Sequence, residues 1–281
     1  MDVRSPLGEF LQARRARLRP EDVGLPRYGD RRRVPGLRRE ELALLAGVSA
    51  GYYTRIEQGQ SQGASPEVLD AIATAMRLTT PEREHLHDLS ASAGHRSAPP
   101  APPVEECDPD LRTLLTAMTD VPALVVGRRN DVLAWNRAGH ALLAGHLDPA
   151  SPDDPRTRPN MSRMVFLDAH TRALYRNWDS KARAVVGNLR IMTARHRGDA
   201  ALAGLVGELA IESPDFATLW AGHIVQSCAR DVFDLAHPLV GELTVTQQSL
   251  RVPGESGQVL VTMTAEPGTS SAEALTLLRT F

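Results

Sequence analysis

Arginine side chains cluster near the start of the chain, in a pattern that suits binding to a polyanion. Residues 1–55 contain 12 arginines, no lysine and 7 acidic residues, which gives this segment a net charge of +5. The whole chain has a net charge of −2, so residues 56–281 carry −7. Guanidinium groups bind phosphates through paired donors. A basic head on an acidic body therefore indicates a polyanion as partner of the head, although chance clustering on a solvated face gives the same count.

Residues 38–59, RREELALLAGVSAGYYTRIEQG, predict two short helices that meet at a tight turn. Apolar spacing favours a first helix over Arg38–Ala46, and Gly47 can adopt the left-handed conformation that ends it. Ser49 can cap a second helix over about 50–58, because a serine oxygen accepts a hydrogen bond from an unpaired backbone N–H. The segment therefore predicts a helix-turn-helix.

The second helix of this segment is predicted to leave its first turn exposed. Val48, Tyr53 and Ile56 can fill the corner between the two helices. A helix placed in this way presents its beginning to base edges in the major groove of DNA. The predicted contact residues of this helix are Ser49, Ala50, Gly51, Tyr52 and Arg55. The alternative is a helix-turn-helix that contacts only proteins.

An arginine-rich loop precedes the helix-turn-helix. The arginines predicted to bind DNA here are Arg31, Arg32, Arg33, Arg38 and Arg39. Phosphate contacts add affinity and salt sensitivity but little sequence information. An arm beside a recognition helix can also enter a minor groove, where arginine is favoured. The alternative is a solvated arm whose arginines pair with the neighbouring acids Asp30, Glu40 and Glu41.

The elements around this segment divide the chain into two domains. Residues 1–95 show helical spacing throughout, with five predicted helices. The prolines of APPAPPVEECDP, residues 98–109, lack backbone donors and fix φ, so neither a helix nor a central strand can run through them. We therefore predict a helix-turn-helix domain over 1–95, a Pro/Ala-rich linker over 96–109 and a second domain over 110–281.

The second domain combines predicted strands and helices. The β-prone runs Ala123–Val126 and Val132–Trp135 flank a turn at Asn130-Asp131, which indicates a hairpin. Two further β-type runs, Leu239–Leu250 and Gln258–Ala265, come near the end of the chain. Helices are predicted at about 110–120, 137–144, 170–196, 199–211, 214–229 and 272–278. Hairpins at both ends with helices between them predict an α+β domain.

The helix-turn-helix segment also resembles a known family. The string LALLAGVSAGYYTRIEQG is similar to the xenobiotic-response-element class of helix-turn-helix proteins. On that resemblance, Arg39 lies where the family contacts the DNA backbone or bases. The small residues Ala50 and Gly51 replace the polar side chains that often read bases there. Base readout is then expected to rest on Tyr52, Arg55 and backbone groups.

Nearly the whole chain resembles the MmyB-like transcription regulators, whose C-terminal half has a PAS-like ligand-binding fold. The matching blocks are RRVPGLRREELALLAGVS at 32–49, VLAWN at 132–136, LYRNWDSKA at 174–182, LVGELAIESPDFATLWAGH at 205–223, HPLVGEL at 237–243 and AEPGTSSAEAL at 265–275. The resemblance implies an all-α five-helix helix-turn-helix domain followed by an α+β PAS-like domain. It also implies a repressor or activator whose sensor pocket takes a small apolar or fatty-acid-like molecule.

The resemblance leaves the identity of the ligand open. An arginine that is common in the family is replaced by Gln226. If that arginine holds an acidic head group, this protein binds a different effector, or none. A PAS-like pocket lies between the sheet and its covering helices. The predicted pocket residues are Trp135, Phe166, Tyr175, Trp178, Trp220 and His223, with Arg163 as a carboxylate anchor. The alternatives are core packing for the aromatic residues and a surface position for the arginine.

Other function classes have little support in the sequence. The nine histidines show no matched metal-ligand spacing, and Cys107 and Cys228 form no CxxC pair. No nucleotide-binding or hydrolase motif is present. We therefore expect a regulator and not an enzyme, without metal or cofactor, that binds a double-stranded DNA operator as a homodimer. The alternative is an interaction protein that docks a partner through its helix-turn-helix, or holds a haem or flavin in its PAS-like domain.

The sequence also predicts where the protein acts. No apolar run approaches the roughly 18 to 20 residues that a membrane helix needs. The first residues, MDVRSPLGEF, have no apolar signal-peptide core. Two isolated thiols are typical of a reducing compartment. We therefore expect a cytoplasmic protein that does not bind membranes.

Overall fold

A computed structural model of the chain describes residues 5–25, 36–59, 64–91, 104–196, 198–222, 230–251 and 257–278. The chain divides into two units. Residues 1–99 with 194–198 form the first unit, and residues 100–193 with 199–281 form the second. No helix within the described ranges is long and apolar enough to cross a membrane.

The described part of residues 1–99 contains five α-helices and one short 3-10 helix, Pro20–Val23. The α-helices are α1 Pro6–Arg17, α2 Arg39–Leu45, α3 Ala50–Glu57, α4 Pro66–Ala75 and α5 Thr80–Ala91. Ser5 caps α1, since its Oγ accepts a hydrogen bond from the backbone N–H of Gly8 at 3.1 Å. The helix predicted over 38–46 is one residue shorter at each end, because Arg38 has extended backbone angles and caps α2.

The helices of the first unit pack around a buried core. Phe10, Tyr53 and Ile56 are among its most deeply buried side chains. Helices α1 and α3 approach closely at Gly8, where an added Cβ would lie 2.0 Å from the carbonyl oxygen of Glu57. Since only glycine fits there, α1 holds one face of α3 inside the unit. The opposite face of α3 is left to point outward.

The second unit combines an antiparallel sheet with helices. Its strands are β1 Ala123–Val126, β2 Val132–Trp135, β3 Arg230–His237, β4 Gly241–Arg251 and β5 Val259–Thr264, in the order β2-β1-β5-β4-β3. Its helices are α6 Pro109–Ala117, α7 Arg137–Ala144, α8 Met161–Leu167, α9 Ala169–Leu174, α10 Trp178–Arg195, α11 Ala200–Glu212, α12 Pro214–Ala221 and α13 Ser270–Leu278. The predicted fold class, an all-α helix-turn-helix domain followed by an α+β PAS-like domain, is therefore confirmed.

Strand β3 and helix α8 are elements that the sequence did not predict. The inward positions of β3 include the polar residues Asp231 and His237 as well as Phe233, while Val232 points outward and is 51% exposed. Apolar and polar residues therefore do not alternate along this strand, and the period-2 signal of a strand is lost. Helix α8 has only seven residues, too few for a clear helical period.

The single helix predicted over 170–196 is two helices, α9 and α10. The chain leaves the helical conformation at Tyr175, which forms an isolated bridge with Leu235 of β3. The backbone N–H of Arg176 then donates to the carbonyl oxygen of Asp234 at 2.9 Å. These bonds cover the outer edge of β3, which explains why the helix stops there.

The turn between β1 and β2 comes earlier than the predicted Asn130-Asp131. Arg128 and Arg129 form the turn, and Asn130 follows in the left-handed conformation, with φ 64°. The side-chain amide of Asn130 donates to the hydroxyl of Ser162 at 3.0 Å. This bond ties the turn to helix α8.

The sheet is covered on both faces. On one face, Leu111 and Leu115 of α6 pack with Val125 and Leu260. Successive residues of a strand point to opposite faces, so Leu124 of β1 belongs to the other face. Helix α10 and that second face together enclose the cavity of this unit.

Candidate DNA-binding surface and ligand cavity

The beginning of α3 is open to solvent. Ser49 caps this helix, since its Oγ accepts a hydrogen bond from the backbone N–H of Tyr52 at 3.2 Å. Gly47, with φ 67°, forms the tight turn before it. Tyr53 and Ile56 are buried on the opposite side. All five predicted contact residues of α3 are exposed or partly exposed, namely Ser49, Ala50, Gly51, Tyr52 and Arg55.

Tyr52 and Arg55 stand side by side on this outward edge. The guanidinium carbon of Arg55 lies 5.7 Å from the centre of the Tyr52 ring, within the range of a cation–π contact. Arg55 forms no ion pair with any residue that the structure describes. Its donors therefore remain available for an acceptor outside the protein.

The two arginines at the start of α2 differ in how they are held. The Nε and Nη2 atoms of Arg39 donate to one oxygen of Glu57, at 2.9 and 2.7 Å. The Arg39 side chain is still 42% exposed, so it can reach a partner while the acid fixes its orientation. Arg38 is exposed, and its backbone N–H donates to the carboxylate of Glu41 at 2.7 Å.

Glu57 is a buried acid at the end of α3 that joins three segments of the first unit. Arg15 donates to both of its oxygens at 3.0 Å and to the carbonyl oxygen of Leu37 at 2.7 Å. Burial would raise the pKa of Glu57, but the hydrogen bonds from Arg15 and Arg39 outweigh burial and hold this pKa below its ordinary value. Glu57 is therefore charged at neutral pH, and it positions Arg39. The sequence signal for this role was an acid on the buried face of a short helix.

The arginine-rich arm lies outside the described residues. Arg31, Arg32 and Arg33 fall between the described ranges 5–25 and 36–59, and so does Asp30. Contact between this arm and DNA stays a prediction.

Gly51 offers a direct test of how closely α3 approaches its partner. A Cβ added at Gly51 would have nothing within 4 Å. Gly51→Ala is therefore expected to raise the unfolding free energy, by about 0.5–1 kcal/mol, because glycine costs entropy in a helix. The same methyl group would stand between the helix backbone and base edges, so DNA affinity should fall several-fold. Urea unfolding and fluorescence anisotropy with labelled operator measure the two effects.

Gly204 provides the matched control for this substitution. It is also an exposed helical glycine with open space around its Cβ position, but it lies on α11 in the second unit. Gly204→Ala should stabilise the protein similarly and leave DNA affinity unchanged. Equal DNA affinities for the two variants would show that the backbone of α3 does not approach DNA at Gly51.

A cavity of about 390 Å³ lies in the second unit between the sheet and α10. One helical face of α10 contributes Lys181, Ala184, Val185, Asn188 and Met192. The strand residues that line it are Leu124, Val126, Gln247, Ser249, Leu250, Arg251, Val259, Val261 and Met263. A largely apolar wall with a few placed polar groups is typical of a small-molecule site.

The polar residues of this cavity are not among the residues predicted from the sequence. Lys181 and Asn188 share a helical stripe with Ala184 and Val185, so they interrupt an otherwise apolar face. The polar residues within this apolar face were the sequence signal that could have indicated a cavity. Asn188 is fixed in place, since its amide donates to the Oδ1 of Asn130 at 2.8 Å.

Three of the predicted pocket aromatics pack with other rings and do not line this cavity. Phe166 meets Trp178 edge to face, with ring centres 5.7 Å apart. The guanidinium carbon of Arg172 lies 3.4 Å from the centre of the Trp178 ring. Tyr175 is buried edge to face against Phe233 at 5.4 Å. These contacts are those of core packing, and a ligand-binding role for the three residues stays a prediction.

The remaining predicted pocket residues also have other partners or lie outside the described part. Trp135 donates its indole N–H to a backbone carbonyl at 2.8 Å, and Trp220 stacks on a phenylalanine ring with centres 5.5 Å apart. Arg163 makes two hydrogen bonds to Glu208, at 2.6 and 2.7 Å. A ligand carboxylate would therefore compete with a carboxylate of the protein. His223 lies outside the described residues.

The two units thus combine a helix-turn-helix whose second helix has an outward edge with an α+β unit that contains a largely apolar cavity. This architecture defines a DNA-binding transcription regulator with a ligand-binding domain. The first unit contains the helix-turn-helix, and the second unit contains space for a small molecule.

Comparison with known protein families assigns both units. A helix-turn-helix domain matches residues 6–86, and the MmyB-like transcription regulator ligand binding domain matches residues 107–278. The second match covers more than half of the chain, so the protein belongs to the family of MmyB-like transcription regulators. The resemblance drawn from the sequence is confirmed. A comparison with curated proteins found no match.

Proposed function

We propose that the protein is a sequence-specific regulator that reads base edges in the major groove with the beginning of α3. The observation that carries this proposal is the division of α3 into two faces. Tyr53 and Ile56 are buried, while Tyr52 and Arg55 point outward beside a capped N-terminus. A recognition helix contacts bases with its N-terminal residues in this way. Arg39, held by Glu57, is then placed to contact a phosphate near the same helix.

The cavity supports the proposal of a small effector that is mostly apolar or resembles a fatty acid. The walls from Val126, Ala184, Val185 and Val261 are apolar, and the volume of about 390 Å³ suits a small molecule. An effector that prefers one arrangement of the two units would change DNA affinity by its differential affinity for those arrangements. Whether the effector raises or lowers DNA affinity depends on which arrangement of the two units it prefers.

The proposed active form is a homodimer. Two-fold symmetric regulators place their two recognition helices about one DNA turn apart, roughly 34 Å, on a pseudo-palindromic operator. Native mass spectrometry of protein purified from its own host would report the mass of the dimer. It would also report any small molecule that the protein retains.

Recovery of genomic DNA tests sequence-specific binding. The full chain is incubated with sheared genomic DNA, and the bound fragments are sequenced. We expect fragments that share a short, nearly palindromic sequence, which then protects its bases in a footprint. Even recovery across the genome would contradict sequence-specific binding. Recovery of no fragments above background would favour the docking alternative.

The arginine-rich arm is proposed to contact phosphates. Replacing Arg31, Arg32 and Arg33 together by glutamine should flatten the plot of log K against log salt concentration. The slope should fall by about 1 for each lost phosphate contact, because fewer counterions are released. The matched control replaces three exposed arginines of the second unit by glutamine, at positions 112, 156 and 176. Equal slopes for both triple variants would show that the arm does not touch phosphates.

A further inference from the structure

Lys181 is the only lysine in the chain, whose other basic residues are arginines and histidines. Lysine side chains are usually solvated, and fully buried ones are rare unless they are paired. This one is 4% exposed, on α10, and it lines the cavity. A buried ammonium at the wall of an otherwise largely apolar cavity calls for a partner of opposite charge.

The ammonium of Lys181 has one hydrogen-bond acceptor among the described residues. Its Nζ donates to Oε1 of Gln247 at 2.8 Å. It also lies 5.2 Å from the centre of the Tyr175 ring and 4.8 Å from that of Phe233. An ammonium has three donors, so two remain for another acceptor. The amide of Gln247 accepts from Lys181 through its oxygen and keeps its own N–H donors beside the ammonium.

Asp231 of β3 is an acid whose charge interacts with that of Lys181. It stands opposite Gln247 in the pairing of β3 with β4. Its Oδ2 is buried without a hydrogen-bond partner, and no ion pair joins it to Lys181 within the described part of the chain. Burial raises the pKa of Asp231, and the charge of Lys181 opposes that rise. An ionised Asp231 would repel an anion bound by Lys181, and burial, which disfavours the ionised form, reduces that repulsion.

The cavity has a closed end and an open end. Gln247 pairs with Met263 at the end where Lys181 lies, and Arg251 pairs with Val259 at the other. Four residues of strand separate the two ends, about 13 Å. Lys181 and Gln247 are buried, while Arg251 is exposed.

The charged residues that line the cavity are Arg128, Lys181 and Arg251, and all of them are basic. The wall between the two ends is largely apolar. The cavity therefore suits an elongated apolar molecule with one negative end. A buried ammonium gains more from pairing than a solvated guanidinium, because water screens the charge at the open end.

We infer that Lys181 binds the carboxylate of an aliphatic monocarboxylic acid, with the apolar chain of the ligand directed toward the open end at Arg251. This inference rests on the proposed effector cavity and adds the head-group residue and the orientation of the ligand. Gln247 supplies the second donor to the carboxylate. The site selects acids over alcohols of the same chain length.

Calorimetry with two matched probes tests this assignment on the full chain. Decanoate and 1-decanol have the same chain, which fits the span of the cavity, but only decanoate is charged. We expect the unmodified protein to bind decanoate at least about tenfold more tightly than decanol, since hydrogen bonds to charged groups are strong. Lys181→Met should abolish this preference by weakening decanoate binding, with decanol binding unchanged or tighter.

Two further variants separate the possible failures. Arg183→Met removes a positive charge from the exposed side of the same helix and should keep the preference for decanoate. If Arg251→Met removes the preference and Lys181→Met does not, the head group lies at the open end and the inference is wrong. If the protein binds decanoate and decanol equally, the cavity still binds an aliphatic ligand, but Lys181 does not bind its head group and the inference is wrong. If it binds neither, the proposed aliphatic effector itself is wrong.

A spectroscopic measurement keeps the test valid if Lys181→Met does not fold. Because the chain has a single lysine, protein labelled with 13C at lysine Cε gives one side-chain NMR signal. Decanoate should shift this signal, while decanol should shift it much less. Equal shifts, or none on saturation with decanoate, would overturn the inference.

Discussion

Glu57→Gln is expected to lower the unfolding free energy of the first unit by about 3–5 kcal/mol, because it breaks a buried ion pair. The Arg15 side chain, only 7% exposed, would keep its charge without a carboxylate partner. The contact with Arg39 at 2.7 Å would be weakened by the same change. The expected loss is large because the carboxylate is the common partner of two guanidinium groups, one of which is buried.

Two optical signals separate the response of the two units. The three tryptophans, Trp135, Trp178 and Trp220, all belong to the second unit. In urea, the circular dichroism of the variant should show an early loss of helix, while its tryptophan fluorescence should change at the same urea concentration as in the unmodified protein. Glu40→Gln, an exposed acid in the first turn of α2, is the control and should change stability by less than about 0.5 kcal/mol. Equal effects of both variants would contradict a structural role of the ion pair.

The pH dependence of this effect has a defined sign. The pKa of Glu57 in the folded state lies below its ordinary value. The ion pairs of Glu57 therefore stabilise the fold at pH values above the ordinary glutamate pKa of about 4.3. This stabilisation is lost as the pH falls through the lower pKa of the folded state. The difference in Tm between the unmodified protein and Glu57→Gln should have its full size at pH 7. It should become smaller at pH values well below 4. A difference that persists in acid would indicate altered shape rather than lost charge.

The elements that local signals define were predicted closely from the sequence. Ser49 accepts the hydrogen bond expected of a helix cap, and Gly47 has the left-handed conformation expected at the turn. The strands predicted at Ala123–Val126 and Val132–Trp135 have those same bounds in the structure. In each case the signal lies within a few residues of the element, so no long-range contact is needed to interpret it.

The cavity could not be predicted in this way, because strand pairing places its walls. Gln247 and Met263 line one end only because β4 and β5 pair in a particular register. Aromatic residues were expected at the cavity, since such side chains often line ligand sites. In the structure, Trp178 and Tyr175 pack instead against other rings of the unit. Which aromatic residues fill a core and which face a cavity depends on contacts between distant segments.

The role of Glu57 in the helix-turn-helix also depends on a contact between distant segments of the chain. The predicted motif contains this residue, and its neighbours Tyr53 and Ile56 were correctly expected inside. The acid could be assigned a partner only once α1 placed Arg15 beside it, 42 residues earlier in the chain. Arg39 was predicted from resemblance to contact DNA, and the structure adds the group that orients it. A residue that positions another is visible only when both are in place.

Arg55→Ala is expected to weaken operator binding by roughly 5- to 150-fold, the loss of about 1–3 kcal/mol that accompanies removal of a specific arginine–base contact. Arg55 is exposed on the outward edge of α3, and its guanidinium lies 5.7 Å from the Tyr52 ring centre. No ion pair within the described part of the chain depends on it, so the fold should be unchanged. Discrimination between bases at one operator position should relax, whereas the loss of a phosphate contact would weaken binding uniformly.

Footprinting and anisotropy with the true operator, and with operators altered at single positions, measure both affinity and discrimination. Arg112→Ala removes the same charge from an exposed position on helix α6 of the second unit and serves as the matched control. It should leave base discrimination intact, because a charge that contacts no base changes only the general electrostatic attraction to DNA. An Arg55→Ala protein with an unchanged footprint would remove Arg55 from the reading surface. A uniform loss across all operators would assign it to the phosphate backbone, with base readout left to Tyr52 and the helix backbone.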